Sequence, residues 1–241
     1  MSDPRFEQRR HDARWHRIRM WSLVGGVVVL VGILVWVVGW SRVLAVRSVD
    51  VQGISTMNEQ NVQASAAVPL GEPLIRVDTD QIEARVAAMK RVASVEVSRH
   101  WPRTLTITIV ERTPVAWLTV DGQPSAIDRD GVVFRTFGKP PTDIVEIVVS
   151  GVGAEDLDDV RNEAAAAISA VQSGDPTLWS SVKRVDVSSR DGIDFVLTKD
   201  RIIHWGSASH TKQKLRVLDA LLKIGAREYD VSAPDQPTTR S

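Results

Sequence analysis

The run Arg99–Ala116, RHWPRTLTITIVERTPVA, decides the fold class. Leu105, Ile107 and Ile109 alternate with Thr104, Thr106 and Thr108, the period-two pattern of a strand with one apolar face. Trp101-Pro102 interrupts the chain just before this run, and Val95 and Val97 alternate with polar residues upstream of it. Two antiparallel strands joined by a tight turn are therefore expected. Working back, Asp80 with Glu83 three residues on opens a helix that puts Ile82, Val86 and Met89 on one face. Pro69, Gly71 and Pro73 separate it from an earlier helix, where Thr56 and Glu59 have the spacing of a capping box and the helix runs to about Ala67. Earlier still, VRSVDVQ at 46–52 alternates like a short strand and stops at Gly53. Strand, helix, helix, strand, strand builds a small sheet covered on one face by two helices.

Working forward, the chain turns mostly to strands after Pro114. Val115 to Val120 leads into Asp121-Gly122, and Ser125 to Asp128 leads into Asp130-Gly131 before Val132 to Arg135. Asp-Gly between apolar runs signals a hairpin. A further strand is expected over Ile144 to Val149. A helix over Glu155 to Gln172 puts Leu157, Val160, Ala164, Ile168 and Val171 on one face. Strands follow at Val182–Val187, Ile193–Thr198 and Arg201–Trp205. Then come a helix over residues 210–225 and a last short strand, Glu228–Ser232. The Pro234-containing polar residues 234–241 are expected to be a tail.

Composition conceals an asymmetry. The 241 residues carry 30 Lys plus Arg and 30 Asp plus Glu, a formal charge of zero. That argues against nucleic-acid binding, which needs concentrated cations. Residues 1–20, however, hold six Arg against Asp3, Glu7 and Asp12, a net of +3, and the chain from Arg42 onward is −3. Between them Met20 to Ser41 is 22 residues without a charge, with Trp15 and Trp21 near one end and Trp36 and Trp40 near the other. About 20 helical residues rise roughly 30 Å, the thickness of a bilayer's hydrocarbon core, and flanking Trp residues suit its interfaces. A cleaved signal peptide is the competing reading, since Val43-Leu44-Ala45 offers small residues. The apolar run is longer than the usual signal core of about 7–15 residues, and Arg42 adjoins the would-be cleavage site. The reading is a transmembrane helix over 21–41, with the basic segment 1–20 cytoplasmic and the remainder extracytoplasmic. Ser22, Gly25, Gly32 and Gly39 fall on one heptad stripe along which another helix could approach closely.

Chemistry is sparse. The chain has no Cys, which removes disulfides, thiolate metal sites and thiol nucleophiles. No Gly-x-Ser-x-Gly elbow or zincin signature occurs. His100, His204 and His210 read as turn, strand and helix-start residues, without a carboxylate motif beside them. Asp128, Asp130 and Gly131 suit a hairpin turn better than a calcium loop, whose downstream Glu has no match. Gly151-Val152-Gly153 lacks the third glycine of a dinucleotide fingerprint. No catalytic, cofactor or metal residues are expected, and no cofactor.

The ordered set of motifs carries a resemblance. The basic foot, the single span, Val46–Gly53 (VRSVDVQG) and the strand–helix–helix–strand–strand order are similar to the POTRA module of bacterial membrane proteins. The run Arg99–Ala116, Ile127–Phe134 (IDRDGVVF), Lys212–Leu222 (KQKLRVLDALL) and Tyr229–Pro234 (YDVSAP) resemble the FtsQ/DivIB family of cell-division proteins, in its actinobacterial form. The likeness spans residues 20 to 234. It implies an α+β protein: one transmembrane helix, a POTRA domain over 44–113 and a mainly antiparallel β domain with helices over 114–233. It also implies a non-enzymatic scaffold of the divisome in the plasma membrane at the septum. Its partners would be FtsB-type and FtsL-type coiled-coil membrane proteins and the septal peptidoglycan synthesis machinery, with membrane lipid around the span and no nucleic acid. A POTRA-bearing chaperone or translocation component that binds exported polypeptides is the alternative, but only one POTRA copy is legible.

A sheet that ends on an exposed strand can accept a partner strand through main-chain hydrogen bonds. The expected docking edge is the terminal strand, Arg227, Glu228, Tyr229, Asp230, Val231 and Ser232, kept short by Pro234 and Pro237, which cannot donate ladder bonds.

Overall fold

Residues 19–33, 35–36 and 42–240 are described by the computed structural model, which divides the chain at Val110. In the first unit, Ser48–Gln52 forms β1, Glu59–Ala66 α1, Thr79–Ala87 α2, Val92–His100 β2 and Thr104–Glu111 β3. The sheet order is β1-β3-β2, with β1 parallel to β3. β3 is central because both neighbours need its backbone, and its alternation is borne out. Leu105, Ile107 and Ile109 are buried against Val62 and Ala66 of α1 and Ile82 and Val86 of α2. Each such side chain contributes about 1.5–3 kcal/mol by leaving water. Gly53 ends β1 with φ +80°, and a Cβ there would meet the Ile109 carbonyl carbon at 3.1 Å. No other residue closes this strand without moving β3.

Both helix starts differ from the spacing-based expectation. Asn58, not Thr56, caps α1, its Oδ1 accepting from Gln60 N at 2.8 Å. Thr56 instead accepts from the Arg91 guanidinium. Asp78, not Asp80, caps α2 and accepts from Gln81 N at 3.0 Å. In each case a short Asn or Asp side chain directly before the first turn reaches the free N–H groups better than the residue read as the start.

Residues 19–33 and 35–36 are helical, and their large apolar side chains, Met20 and Trp36 among them, are exposed. Among the described residues no helix is long and apolar enough to cross a membrane. Residues 34 and 37–41 of the expected span, and 1–18 of the expected foot, lie outside the described residues.

The second unit is one nine-stranded sheet with helices on one face. Its strands are Ala116–Val120 (β4), Gln123–Ile127 (β5), Val133–Thr136 (β6), Glu146–Val149 (β7), Val182–Ser189 (β8), Gly192–Leu197 (β9), Ile202–Gly206 (β10), Glu228–Asp230 (β11) and Thr238–Arg240 (β12). Their order is β12-β11-β10-β9-β8-β7-β4-β5-β6. The helices are Leu157–Gly174 (α3), the single turn Pro176–Trp179 (α4) and Thr211–Leu222 (α5). The sheet is more mixed than expected. Five neighbouring pairs are antiparallel, but β4–β7, β7–β8 and β10–β11 are parallel. Two of these parallel pairs follow from helical crossovers, α3–α4 between β7 and β8 and α5 between β10 and β11. Ala164, Ile168 and Val171 of α3 and Leu218 of α5 pack on Val185, Val187, Ile193, Phe195, Ile203, Trp205 and Tyr229 of the sheet.

The Asp128–Gly131 sequence forms the expected turn, with Asp128 as its anchor. Asp128 is buried, its Oδ1 accepts from Asp130 N at 3.0 Å and Val132 N at 2.9 Å, and its other oxygen pairs with the Arg112 guanidinium.

The C-terminal residues correct an expectation. Residues 238–240 are not tail but β12, paired antiparallel to β11 with Glu228 opposite Arg240, Tyr229 opposite Thr239 and Asp230 opposite Thr238. A turn closed by Gln236 N on Ala233 O at 2.9 Å brings them back, and Thr-Thr after a proline suits a strand.

Candidate functional site

The end of the sheet at β10–β12 carries the features that a binding edge needs. α5 positions it from below. Lys214 lies on the face of α5 that Leu218 and Leu221 share, and it is fully buried. Its Nζ donates to Trp205 O at 2.8 Å and Ser207 O at 2.7 Å, and sits 5.5 Å from the centre of the Trp205 ring. Burial pushes this ammonium pKa down, while Glu163 and Asp191 oppose the shift. Trp205 in turn packs edge-to-face on Phe195, ring centres 5.5 Å apart. Gly206 follows at φ +74°, where a Cβ would lie 2.9 Å from Ser232 Cβ. The end of β10 is thus clamped between α5 and the chain beyond β11.

The opposite, outward face is polar. His204 Nδ1 lies 2.9 Å from Asp194 Oδ1 on β9, and its Nε2 lies 3.9 Å from Glu228 Oε2 on β11. Arg240 Nη1 on β12 reaches the same Glu228 oxygen at 3.4 Å. An open groove of about 230 Å³ is lined by His204, Glu228, Asp230, Thr238, Thr239 and Arg240. These polar and charged groups sit on neighbouring strands in a half-exposed setting. They can steer and register a partner strand, and exposed pairs of this kind contribute about 0–1 kcal/mol each.

This geometry overturns the expected docking edge. β11 is not terminal, because β10 pairs with it on one side and β12 on the other. Arg227 is held the same way, its O accepting from Ile202 N and its N donating to Arg240 O. Tyr229 and Val231 are fully buried and face the helices, so neither side chain is offered to a partner. Glu228 and Asp230 point outward into the groove, and Ser232 is exposed but bonded through N and Oγ to Asp230 Oδ1. The outermost strand at this end is β12, whose three residues are all exposed. Three residues were missed. Arg240 and Thr239 follow Pro237 in what reads as a polar tail, although Thr-Thr is a strand signal. Lys214 could have been found as the one cation on an apolar helix face.

In the proposed helix stripe, Ser22 Oγ donates to Arg19 O at 2.9 Å. Gly25 and Gly32 have nothing within 4 Å of an added Cβ, and Gly39 lies outside the described residues. Among the described residues, Gly25 and Gly32 therefore meet nothing outside their own helix.

Comparison with known proteins agrees with this architecture. Residues 44–112 match the family described as "POTRA domain, FtsQ-type", and residues 116–231 match "Cell division protein FtsQ/DivIB, C-terminal". A protein of Mycolicibacterium smegmatis named "Cell division protein FtsQ" is 34% identical over 99% of this chain and 69% of its own length. One so named from Mycobacterium leprae is 38% identical over 82% of this chain and 56% of its own length. One from Streptomyces venezuelae is 34% identical over 89% and 81%.

Proposed function

The chain belongs to the FtsQ/DivIB family of cell-division proteins, and from that premise we propose that it is a bitopic scaffold of the divisome. In this reading residues 21–41 cross the plasma membrane with the N-terminus cytoplasmic, and both folded units lie outside at the septum. The protein acts by contact and not by catalysis. It bridges early and late division proteins, and it helps to assemble and control septal peptidoglycan synthesis. FtsB-type and FtsL-type coiled-coil proteins are its partners.

The observation that carries this is the open end of the nine-stranded sheet. β12 is paired on one side only, is short and exposed, and borders a groove lined by His204, Glu228 and Arg240. A partner strand laid against it would complete its main-chain hydrogen bonds, and the groove residues would fix its register. The test places a photocrosslinking residue at Thr239 and, separately, at Tyr229 in dividing cells. Crosslinks to an FtsB-type or FtsL-type protein from 239 and none from 229 are expected. Crosslinks from 239 to many unrelated exported chains would instead favour a chaperone of exported polypeptides.

A further inference from the structure

We propose that one end of the first unit rests on the bilayer surface, with Leu70 and Trp101 seated among the lipid headgroups. This rests on the reading of residues 21–41 as a membrane span.

Three segments meet at this end. Residues 43–47 form its centre. On one side the loop after α1 is bonded to them: Val46 N donates to Glu72 O and Gly71 N to Val46 O, both at 2.9 Å, and Ala45 bridges to Pro73. On the other side lies the β2–β3 turn. Arg47 N donates to Arg103 O at 2.9 Å, and Arg103 Nε donates to Val43 O at 2.8 Å. Arg99 ties in the neighbouring turn through Leu74 O at 3.0 Å and Val77 O at 2.7 Å, which fixes Ile75 there as well.

The exposed apolar side chains of this unit collect at the same place. Outside the N-terminal helix, its exposed large apolar residues among those described are Val43, Leu70, Ile75, Trp101 and Val110. Four of the five sit on the segments just named, and Leu70 is 65% exposed and Trp101 47%. Such side chains grouped together mark an interaction surface. Arg47 and Arg76 are exposed beside them and Arg103 is half-buried, against two exposed carboxylates, Glu72 and Asp78. A ring of guanidinium groups around Trp and Leu matches the chemistry of the phosphate and glycerol layer.

The covalent tether selects lipid as the occupant. Val43 is two residues beyond the charge-free run that ends at Ser41, a reach of at most about 7 Å. Because Val43 is bonded into this end of the unit, that end is held at the membrane once the run is inserted. The other end, where β2 begins, is roughly 26 Å away along the strand.

Since the chain has no Cys, single labels can test this on the full protein. Nitroxide labels at Val28→Cys, Leu70→Cys, Trp101→Cys and Lys90→Cys are compared in phosphatidylglycerol–phosphatidylethanolamine vesicles. Access to a water-soluble nickel chelate and to oxygen is measured. The expected result is oxygen access without nickel access at 28, and a loss of nickel access at 70 and 101 relative to 90. Nickel access at 70 and 101 equal to that at 90, with 28 in hydrocarbon, would overturn the proposal. Nickel access at 28 would instead sink the span reading, and the proposal with it. Leu70 is on an exposed loop, so its label decides the matter even if the Trp101 variant disturbs the hairpin.

Discussion

Lys214 is a cation placed where the sheet needs donors. Its two bonds satisfy the carbonyls of Trp205 and Ser207 at the end of β10, and Lys214→Met leaves both unsatisfied. A loss of about 2–3 kcal/mol in urea unfolding is expected. The pH dependence has a definite sign. Burial lowers the folded pKa below the ordinary 10.5, so between the folded value and 10.5 the unfolded chain holds more protons. The stability from this group therefore rises with pH in that window. The difference between wild type and Lys214→Met should grow as pH climbs toward 10.5, and a constant difference would contradict the assignment. Tyr229 offers a second test. Its ring is fully buried, and its hydroxyl is without a partner among the described residues. Tyr229→Phe should change stability by less than about 1 kcal/mol and leave partner crosslinking intact, whereas Tyr229→Ala should cost about 3–5 kcal/mol. Asp128 contributes differently, since Asp128→Ala strands the Arg112 guanidinium and removes the turn's acceptor. About 3 kcal/mol of lost stability is expected by calorimetry.

The elements at the C-terminus divide their tasks. β11 and the residue just after it supply core, through Tyr229 and Val231, whereas β12 supplies none. Stopping the chain after Ala233 should therefore leave the second unit folded while weakening capture of a coiled-coil partner. Stopping after Gly225 removes two fully buried side chains, about 2–5 kcal/mol each, from a total stability of roughly 5–15 kcal/mol. That truncation should unfold the unit by circular dichroism. Much of this was legible beforehand. The alternation in β3, the Asp-Gly turns and the amphipathic period of α3 are local patterns, and each produced its element. The edge was not legible. Three polar residues after a proline, Thr238–Arg240, read as tail because their only reason to be a strand is a vacant pairing position on β11, created by a parallel crossover through α5. The helix caps failed on a finer scale, since Asn58 and Asp78 compete with nearby Thr and Asp residues that suit the same motif.

Over the whole molecule, charge is sorted by position, +3 before the apolar run and −3 after it. If this sorting sets orientation, a phosphatase active only outside the cytoplasm should be active when fused after Ser241. Replacing the six Arg of residues 1–20 with Gln should lower that activity. Equal activity in both fusions would separate orientation from the foot. The two folded units each have their own buried cluster, and with no Cys in the chain their stability comes from packing.

What the sequence determined by itself is what short-range physics encodes. That covers which segments are strands and helices, which faces are apolar, where the charge-free run lies and which family the motifs resemble. Periodicity, turn chemistry and charge counts are properties of neighbours in the chain. Which strand ends the sheet, which side chains of β11 are core, and how Lys214, Trp205 and Glu228 meet were decided only by the tertiary structure. These depend on pairings between residues up to dozens of positions apart, where backbone hydrogen bonding is blind to side-chain identity and the best available partner wins.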